Sequence, residues 1–466
     1  MTLSTLPGTI GDLRASNYQV LPVRQELRKN LIAKIRSEEI VFPGIIGFEH
    51  TVIPQLENAI LAGQDIILLG ERGQAKSRLI RSMVTLLDEF IPKIADCEIN
   101  DDPYAPICRV CRNKVAEQGD DTQIQWIGRD ERYSEKLATP DISIADLIGE
   151  IDPIKVAEGH YLSDELVIHY GLVPRTNRGI FCINELPDLA ERIQVGLFNL
   201  MEERDVQIKG YRIRLPLDVY VVSTANPEDY TNRGRIVTPL KDRYGSQIHT
   251  HYPKTIEEEI AIMDQERTRF PDEDSMVIPN YMKEILAEIT SQARESSEIN
   301  QRSGVSCRVS ISNFETLLGN ALRRSIIHGE QYVCPRTSDL PYIMASFSGK
   351  IELETFEEGR ESRVTDDLTR RGVLRVFGGV FEVDELERIV TAFDMGNTAE
   401  TSSEKPASEY LAMLAQVDGL ADAVKKVTTD ERPEVVASAV EFILEGLHLN
   451  RRLNCERTSA GYLYRR

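Results

Sequence analysis

The residues best suited to chemistry lie in Gly70-Glu71-Arg72-Gly73-Gln74-Ala75-Lys76-Ser77. Holding a triphosphate requires glycines that let backbone N–H groups turn toward oxygen, a lysine that reaches the β and γ phosphates, and a hydroxyl for Mg2+. Gly70, Gly73, Lys76 and Ser77 supply these in the register G-x-x-x-x-G-K-[ST], with Ala75 where the pattern has glycine. Alanine is the smallest substitute and fits if its backbone is near helical. Two further groups end apolar runs. Asn184-Glu185 follows Ile180-Phe181-Cys182-Ile183, and Asn226 follows Val221-Val222-Ser223-Thr224-Ala225. Glu185 has the chemistry of a base toward an attacking water, and Asn226 that of a group orienting it. An aspartate at 184 would hold Mg2+; neutral Asn184 reaches a metal only through metal-bound water, which predicts slow hydrolysis or none. Taken alone, a strand-end Asn-Pro is more often a turn.

Arginines extend the set. Arg243, in Leu240-Lys241-Asp242-Arg243-Tyr244, follows a short helix-like stretch and is suited to reach a neighbouring subunit's γ-phosphate. Arg308 precedes a helical pattern from Ser310 through Leu317 and Leu318 to Ala321 and is placed to close over a nucleotide, with Arg302 as the competing choice. A separate group, Cys108-Arg109-Val110-Cys111 with Cys97 upstream, has the thiols for zinc binding or a redox response. No second C-x-x-C supplies a fourth ligand, and His160 is only a distant candidate, so reduced structural cysteines are the default.

These groups need elements to position them. Ile66-Ile67-Leu68-Leu69 is a short continuous apolar run ended by Gly70, the pattern of a strand buried on both faces. Beyond Ser77, Leu79, Ile80, Met83, Leu86 and Leu87 recur at helical spacing, so the loop joins a strand to a helix. Gly179 to Ile183 and Tyr220 to Thr224 read as two further buried strands, with a hairpin from Val206 to Leu215 around Lys209-Gly210 between them. Strands alternating with helices predict an α/β fold, a doubly wound parallel sheet with helices on both faces, whose ligands gather at the carboxyl edge. The expected organisation is an N-terminal helical extension over 1–40 and an α/β core over 41–253 carrying a cysteine-containing insertion at 92–140. A helical lid at 254–350 and a helical region at 351–466 follow, with a flexible linker near 396–406.

Composition narrows the function classes. The 466 residues carry a formal charge of −20, which opposes a general nucleic-acid or anionic-membrane binder. Seven scattered cysteines do not read as a disulfide framework, and no apolar run approaches the ~20 residues of a membrane span. A cytoplasmic location is the expectation.

In this order the segments resemble the AAA+ ATPases, and more narrowly the magnesium-chelatase I-subunit and MoxR group. The resemblance runs from about Phe42 to Arg323 and rests on Phe42-Pro43-Gly44-Ile45-Ile46-Gly47, the loop at 70–77, Leu147 to Asp152, Gly171-Leu172-Val173 and Arg178-Gly179-Ile180. It implies a P-loop NTPase core followed by an all-α lid. It also implies ATP and Mg2+ as cofactors, with nucleotide held by Ile45, Ile46, Gly47, Gly70, Glu71, Arg72, Gly73, Gln74, Ala75, Lys76, Ser77 and Arg78. Ser77, and Asn184 through water, would serve the metal. Glu185, Asn226, Arg243 (acting in trans) and Arg308 would be catalytic. An insertion in the family's helix 2 corresponds to Asp152 to Tyr170. A hexameric ring and a partner with a von Willebrand factor A domain are implied, with no membrane or direct nucleic-acid contact. The leading reading is an ATP-hydrolysing remodelling motor, and the alternative is an assembly module that binds ATP without hydrolysing it. An enhancer-binding activator would carry a Gly-Ala-Phe-Thr-Gly-Ala loop, which the sequence lacks.

Overall fold

Four consecutive buried residues form the strand Ile66–Leu69 (β1), and four more strands lie parallel in the same sheet: Tyr133–Leu137 (β2), Gly179–Asn184 (β3), Val219–Ala225 (β4) and Ser246–His249 (β5). Their order across the sheet is β5-β1-β4-β3-β2. Alternation sorts the side chains of the inner strands to two faces. Ile67, Leu69, Phe181, Ile183, Val219 and Val221 join one apolar cluster, whereas Ile66, Leu68, Ile180, Cys182, Tyr220 and Val222 join another. A sheet covered on both faces explains why these strands read as unbroken apolar runs.

The computed structural model describes residues 6–152, 154, 167–207, 214–226, 235–271, 273–301, 303–354, 359–458 and 461–466. The chain divides into two compact units, Met1–His251 and Tyr252–Arg466. The expected hairpin is present as the antiparallel pair Asp205–Gln207 and Arg214–Pro216, with Val206 opposite Leu215; Lys209-Gly210 lies outside the described residues. Most of the stretch expected as the helix-2 insertion also lies outside them, but its flanks, Gly149–Ile151 and Ile168–Tyr170, pair antiparallel.

Three expected boundaries are corrected. The N-terminal region is no extension: the helix Val23–Arg36 places Val23, Leu27 and Leu31 in the cluster that covers β1. Its Glu26 makes a two-pronged buried ion pair with Arg132, at 2.7 and 2.6 Å, and Arg132 also donates to the carbonyl of Arg178 at the start of β3. The stretch 92–140 is not wholly an insertion, because it contains β2, the edge strand of the core sheet. Edge position leaves Tyr133 to Lys136 only half buried, so the segment reads as polar. The expected linker near 396–406 holds the strand Ala399–Thr401, which pairs with Tyr462–Arg465; that strand pairs in turn with Asn454–Arg457.

The second unit is therefore helical with one small antiparallel sheet. A single apolar cluster runs from Met263 to Tyr464, so the expected lid and C-terminal region share one core. Its axis is the helix Pro433–Leu449, where Phe442 stacks on Tyr281 at 4.5 Å and a Cβ at Gly446 would lie 1.9 Å from the Phe377 ring.

Candidate functional site

The register of the parallel sheet brings the three strand-end motifs to one edge. Leu69 is paired with Ala225, and the Gly70 N–H donates to the Ala225 carbonyl at 3.1 Å, so the loop after β1 and Asn226 after β4 leave the sheet side by side. On the other flank of β4, Ser223 is paired with Ile183, placing Thr224 beside Asn184; the Thr224 hydroxyl donates to Asn184 Oδ1 at 3.2 Å and accepts from the Glu185 N–H at 3.0 Å. Gly70, Asn226, Asn184 and Glu185 thus share the carboxyl edge, where ligands of open parallel sheets bind.

The loop itself is tightly specified. A Cβ at Gly70 would lie 1.9 Å from Thr250 Oγ1 and 2.3 Å from Gln74 Oε1, so only glycine fits. Gln74 is buried; its Oε1 accepts from the Glu71 N–H at 3.1 Å and from the Thr250 hydroxyl at 2.7 Å, closing the loop against the end of β5. Gly73 has φ +76°. Ala75 is left-handed, φ +53° and ψ +15°, not right-handed helical as its tolerance was expected to require. That conformation costs a non-glycine residue about 1–2 kcal/mol. Lys76 opens the helix Lys76–Ser82 and is 7% exposed; its ammonium donates to the carbonyls of Gly70 and, at 2.7 Å, Glu71. Ser77 is half-buried and Arg78 exposed. Ile45, Ile46 and Gly47 lead to Phe48 and Thr51, both of which meet His251 beyond Thr250: the rings lie 5.0 Å apart, and Thr51 Oγ1 is 2.7 Å from Nε2. That segment therefore flanks the loop on the β5 side.

Asn184 has a partner that sequence reasoning missed. Its amide donates to Glu135 on β2, the carboxylate being able only to accept, so Oδ1 faces Thr224. Glu135 also holds Arg81 of the loop helix by two bonds at 2.8 and 2.9 Å and accepts from the Tyr133 hydroxyl at 2.9 Å. The Arg81 guanidinium holds the Glu135 carboxyl below the usual range. Burial pushes the Cys182 thiol up to about 12, with the neighbouring Glu135 charge adding to it. The only sequence signal for Glu135 was its place in Tyr133 to Leu137, a weak strand pattern. Thr250 carried no signal.

The arginines are placed differently. Arg243 ends the helix Thr238–Arg243 and is bound within its own unit, donating to Glu202 and to the Pro239 carbonyl at 2.6 Å, with its guanidinium 4.7 Å over the Phe198 ring. Arg308 belongs to the second unit, where it opens the helix Arg308–His328 with an exposed side chain; Arg302 lies outside the described residues.

Cys97, Cys108 and Cys111 come together, and the structure adds Asp101 to them: one ligand-type atom from each lies within 4.8 Å of the others. His160 lies outside the described residues. Burial and the neighbouring sulfur of Cys97 push the Asp101 carboxyl up to about 6.

Sequence comparison gives a likeness. No protein-family model matches the chain. It is 26% identical over 266 residues to the magnesium-chelatase subunit ChlI of Nostoc sp., a match covering 54% of this chain and 65% of that one. It is 25% identical over 232 residues to the ChlI homolog of Methanocaldococcus jannaschii, covering 48% and 58%. The chain thus spans less than two thirds of the length of these relatives. A match of 26% over 337 residues to ChlI of Nephroselmis olivacea covers 68% of this chain and 85% of that one. The chain resembles the magnesium-chelatase I subunits of the AAA+ ATPases. Among solved structures, a cryo-EM-based arrangement of BchI with BchD of magnesium chelatase aligns at TM-score 0.36 and 19% identity, over 70% of this chain and 98% of that one. This chelatase-like chain has, among its described residues, no helix long and apolar enough to cross a membrane.

Proposed function

We propose that this chain is the ATP-hydrolysing subunit of a cytoplasmic AAA+ motor that remodels a partner protein. One observation carries the reading: parallel strands β1, β4 and β3 end side by side, setting the Lys76 loop, Asn226 and Glu185 on one edge of the sheet. The Gly70 to Ser77 turn wraps the triphosphate, and Lys76 exchanges its bonds to the Gly70 and Glu71 carbonyls for phosphate oxygens. Asn226 orients water and Glu185 accepts its proton.

The donor set suits Mg2+, which takes oxygen ligands and keeps several waters. Ser77 and, through water, Asn184 would hold it, with Glu135 supplying the carboxylate that position 184 lacks; bound there, the ion would supply positive charge against that of the phosphates. Because Asn184 donates to Glu135, the negative charge lies one strand further along the sheet than in an Asp-Glu arrangement.

The relatives are by name subunits of magnesium chelatase, which favours an assembly. In our reading the assembly is a hexameric ring of this chain, with Arg243 leaving Glu202 to meet a neighbour's γ-phosphate. The partner carries a von Willebrand factor A domain. The Asn184–Glu135 bond also favours a second reading, in which ATP is held as a switch without turnover. Binding of Mg-ATP and phosphate release, measured together for wild type, Lys76→Ala and Asn184→Asp, separate the two. The motor reading expects wild-type binding and turnover, both lost in Lys76→Ala. Binding without turnover, with turnover appearing in Asn184→Asp, would sink the motor and leave the switch.

A further inference from the structure

We infer that Cys97, Asp101, Cys108 and Cys111 form a closed, structural Zn2+ site built into the core unit, sharing no residue with the nucleotide site. The residues are 5%, 0%, 5% and 1% exposed, and their candidate ligand atoms all lie within 4.8 Å of one another. Zn–S bonds of about 2.3 Å and Zn–O bonds of about 2.0–2.2 Å put the ligands of a tetrahedral site within about 4 Å of one another, so small adjustments close the shell.

Asp101 carries the argument past a cluster of packed thiols. Its Oδ2 accepts the Cys108 N–H at 3.0 Å, but its Oδ1 is buried with no hydrogen-bond partner. A fully buried carboxylate oxygen left without a donor is costly, and a cation in the midst of the cluster satisfies it. The sulfurs are prepared as acceptors as well. The Asp101 N–H points at Cys97 Sγ at 3.4 Å, and the Cys111 N–H points at Cys108 Sγ at 3.3 Å; both stabilise thiolate charge. Cys108 caps the helix Arg109–Gln118, so the C-x-x-C pair sits on the first turn of a regular element, while Cys97 and Asp101 come from the turn after Phe90–Ile94. Thiolates with one carboxylate suit Zn2+ better than Mg2+ or Ca2+, which prefer all-oxygen shells.

The ion would reinforce a segment whose apolar core is small. The local apolar cluster has only five buried members, Ile94, Cys97, Ile99, Cys108 and Cys111, three of them proposed ligands. The same segment braces the approach to β3, where Asn100 Nδ2 donates to the Arg175 carbonyl at 3.0 Å; within the segment, Lys93 Nζ donates to the Cys97 carbonyl at 3.0 Å. Metal loss would loosen the turn leading into the strand that ends in Asn184-Glu185.

The test is metal analysis of the full chain purified from zinc-replete cells without chelators. One zinc per chain is expected, retained in the control Cys334→Ser and reduced at least tenfold in Cys108→Ser/Cys111→Ser. Because that variant may fail to fold, the unaltered chain is also exchanged into Co2+. It should show the intense visible bands of tetrahedral cobalt and a near-ultraviolet thiolate-to-cobalt band, and Asp101→Asn should keep the thiolate band while weakening Co2+ binding at least tenfold. A zinc-free chain that gives no cobalt thiolate band would overturn the proposal. So would a Cys108–Cys111 disulfide in protein purified without oxygen.

Discussion

At Ala75 and Asn184 the residue scale departs most from the pattern expected of a phosphate loop and its facing strand. The substitution of alanine for glycine was visible in the sequence, but its left-handed backbone, beside a Gln74 that closes on distant Thr250, was not. Ala75→Gly should therefore relax strain, and the melting temperature should stay level or rise by an amount equivalent to up to about 1 kcal/mol; a clear fall would show that the left-handed alanine is not strained. Asn184 was equally plain in the sequence, whereas Glu135 was hidden in a half-buried edge strand with no strong alternation. Its depressed carboxyl makes a testable acid signature. The Arg81–Glu135 pair contributes stability above the unfolded glutamate value of about 4.3 and loses it as pH falls through the lower folded value. Glu135→Gln should remove that acid-side loss in thermal melts taken between about pH 5 and pH 3, and an unchanged slope would count against the pair.

At the scale of elements, legibility followed burial. Strands β1, β3 and β4 were read correctly because both faces are covered and their residues are almost all apolar. β2, an edge strand, and Ala399–Thr401, a three-residue strand followed by a polar turn, were read as insertion and linker because local composition does not report long-range pairing. The helix Val23–Arg36 was recognised as a helix but not as part of the core. Its attachment is made by distant partners, among them Arg132, which meets Glu26 from 106 positions away in the chain. Leaving Arg132 buried without its carboxylate should be severe: Glu26→Ala is expected to cost about 3–5 kcal/mol in denaturant unfolding. A loss below about 1 kcal/mol would mean that the Glu26–Arg132 pair does not anchor the helix.

For the molecule as a whole, sequence spacing and a family resemblance pointed to the parallel sheet and its edge, and the register showed why the motifs converge. The units divide between 251 and 252, and the second is one core where two regions were expected. The proposed action across a subunit interface assigns its key role to Arg243, which the structure holds on Glu202 and Phe198 of its own chain. If it works on a neighbour's nucleotide, mixing inactive Lys76→Ala subunits with inactive Arg243→Ala subunits should restore part of the ATPase activity; inactivity at every ratio would argue against action in trans. All of this presumes turnover at the edge formed by β1, β4 and β3. The most direct measurement is steady-state phosphate release from Mg-ATP by the full chain, wild type against Glu185→Gln. The account predicts measurable release that falls by about 10²–10⁴-fold in Glu185→Gln while ATP binding persists. Equal rates in the two proteins, or no release from the wild type, would contradict it.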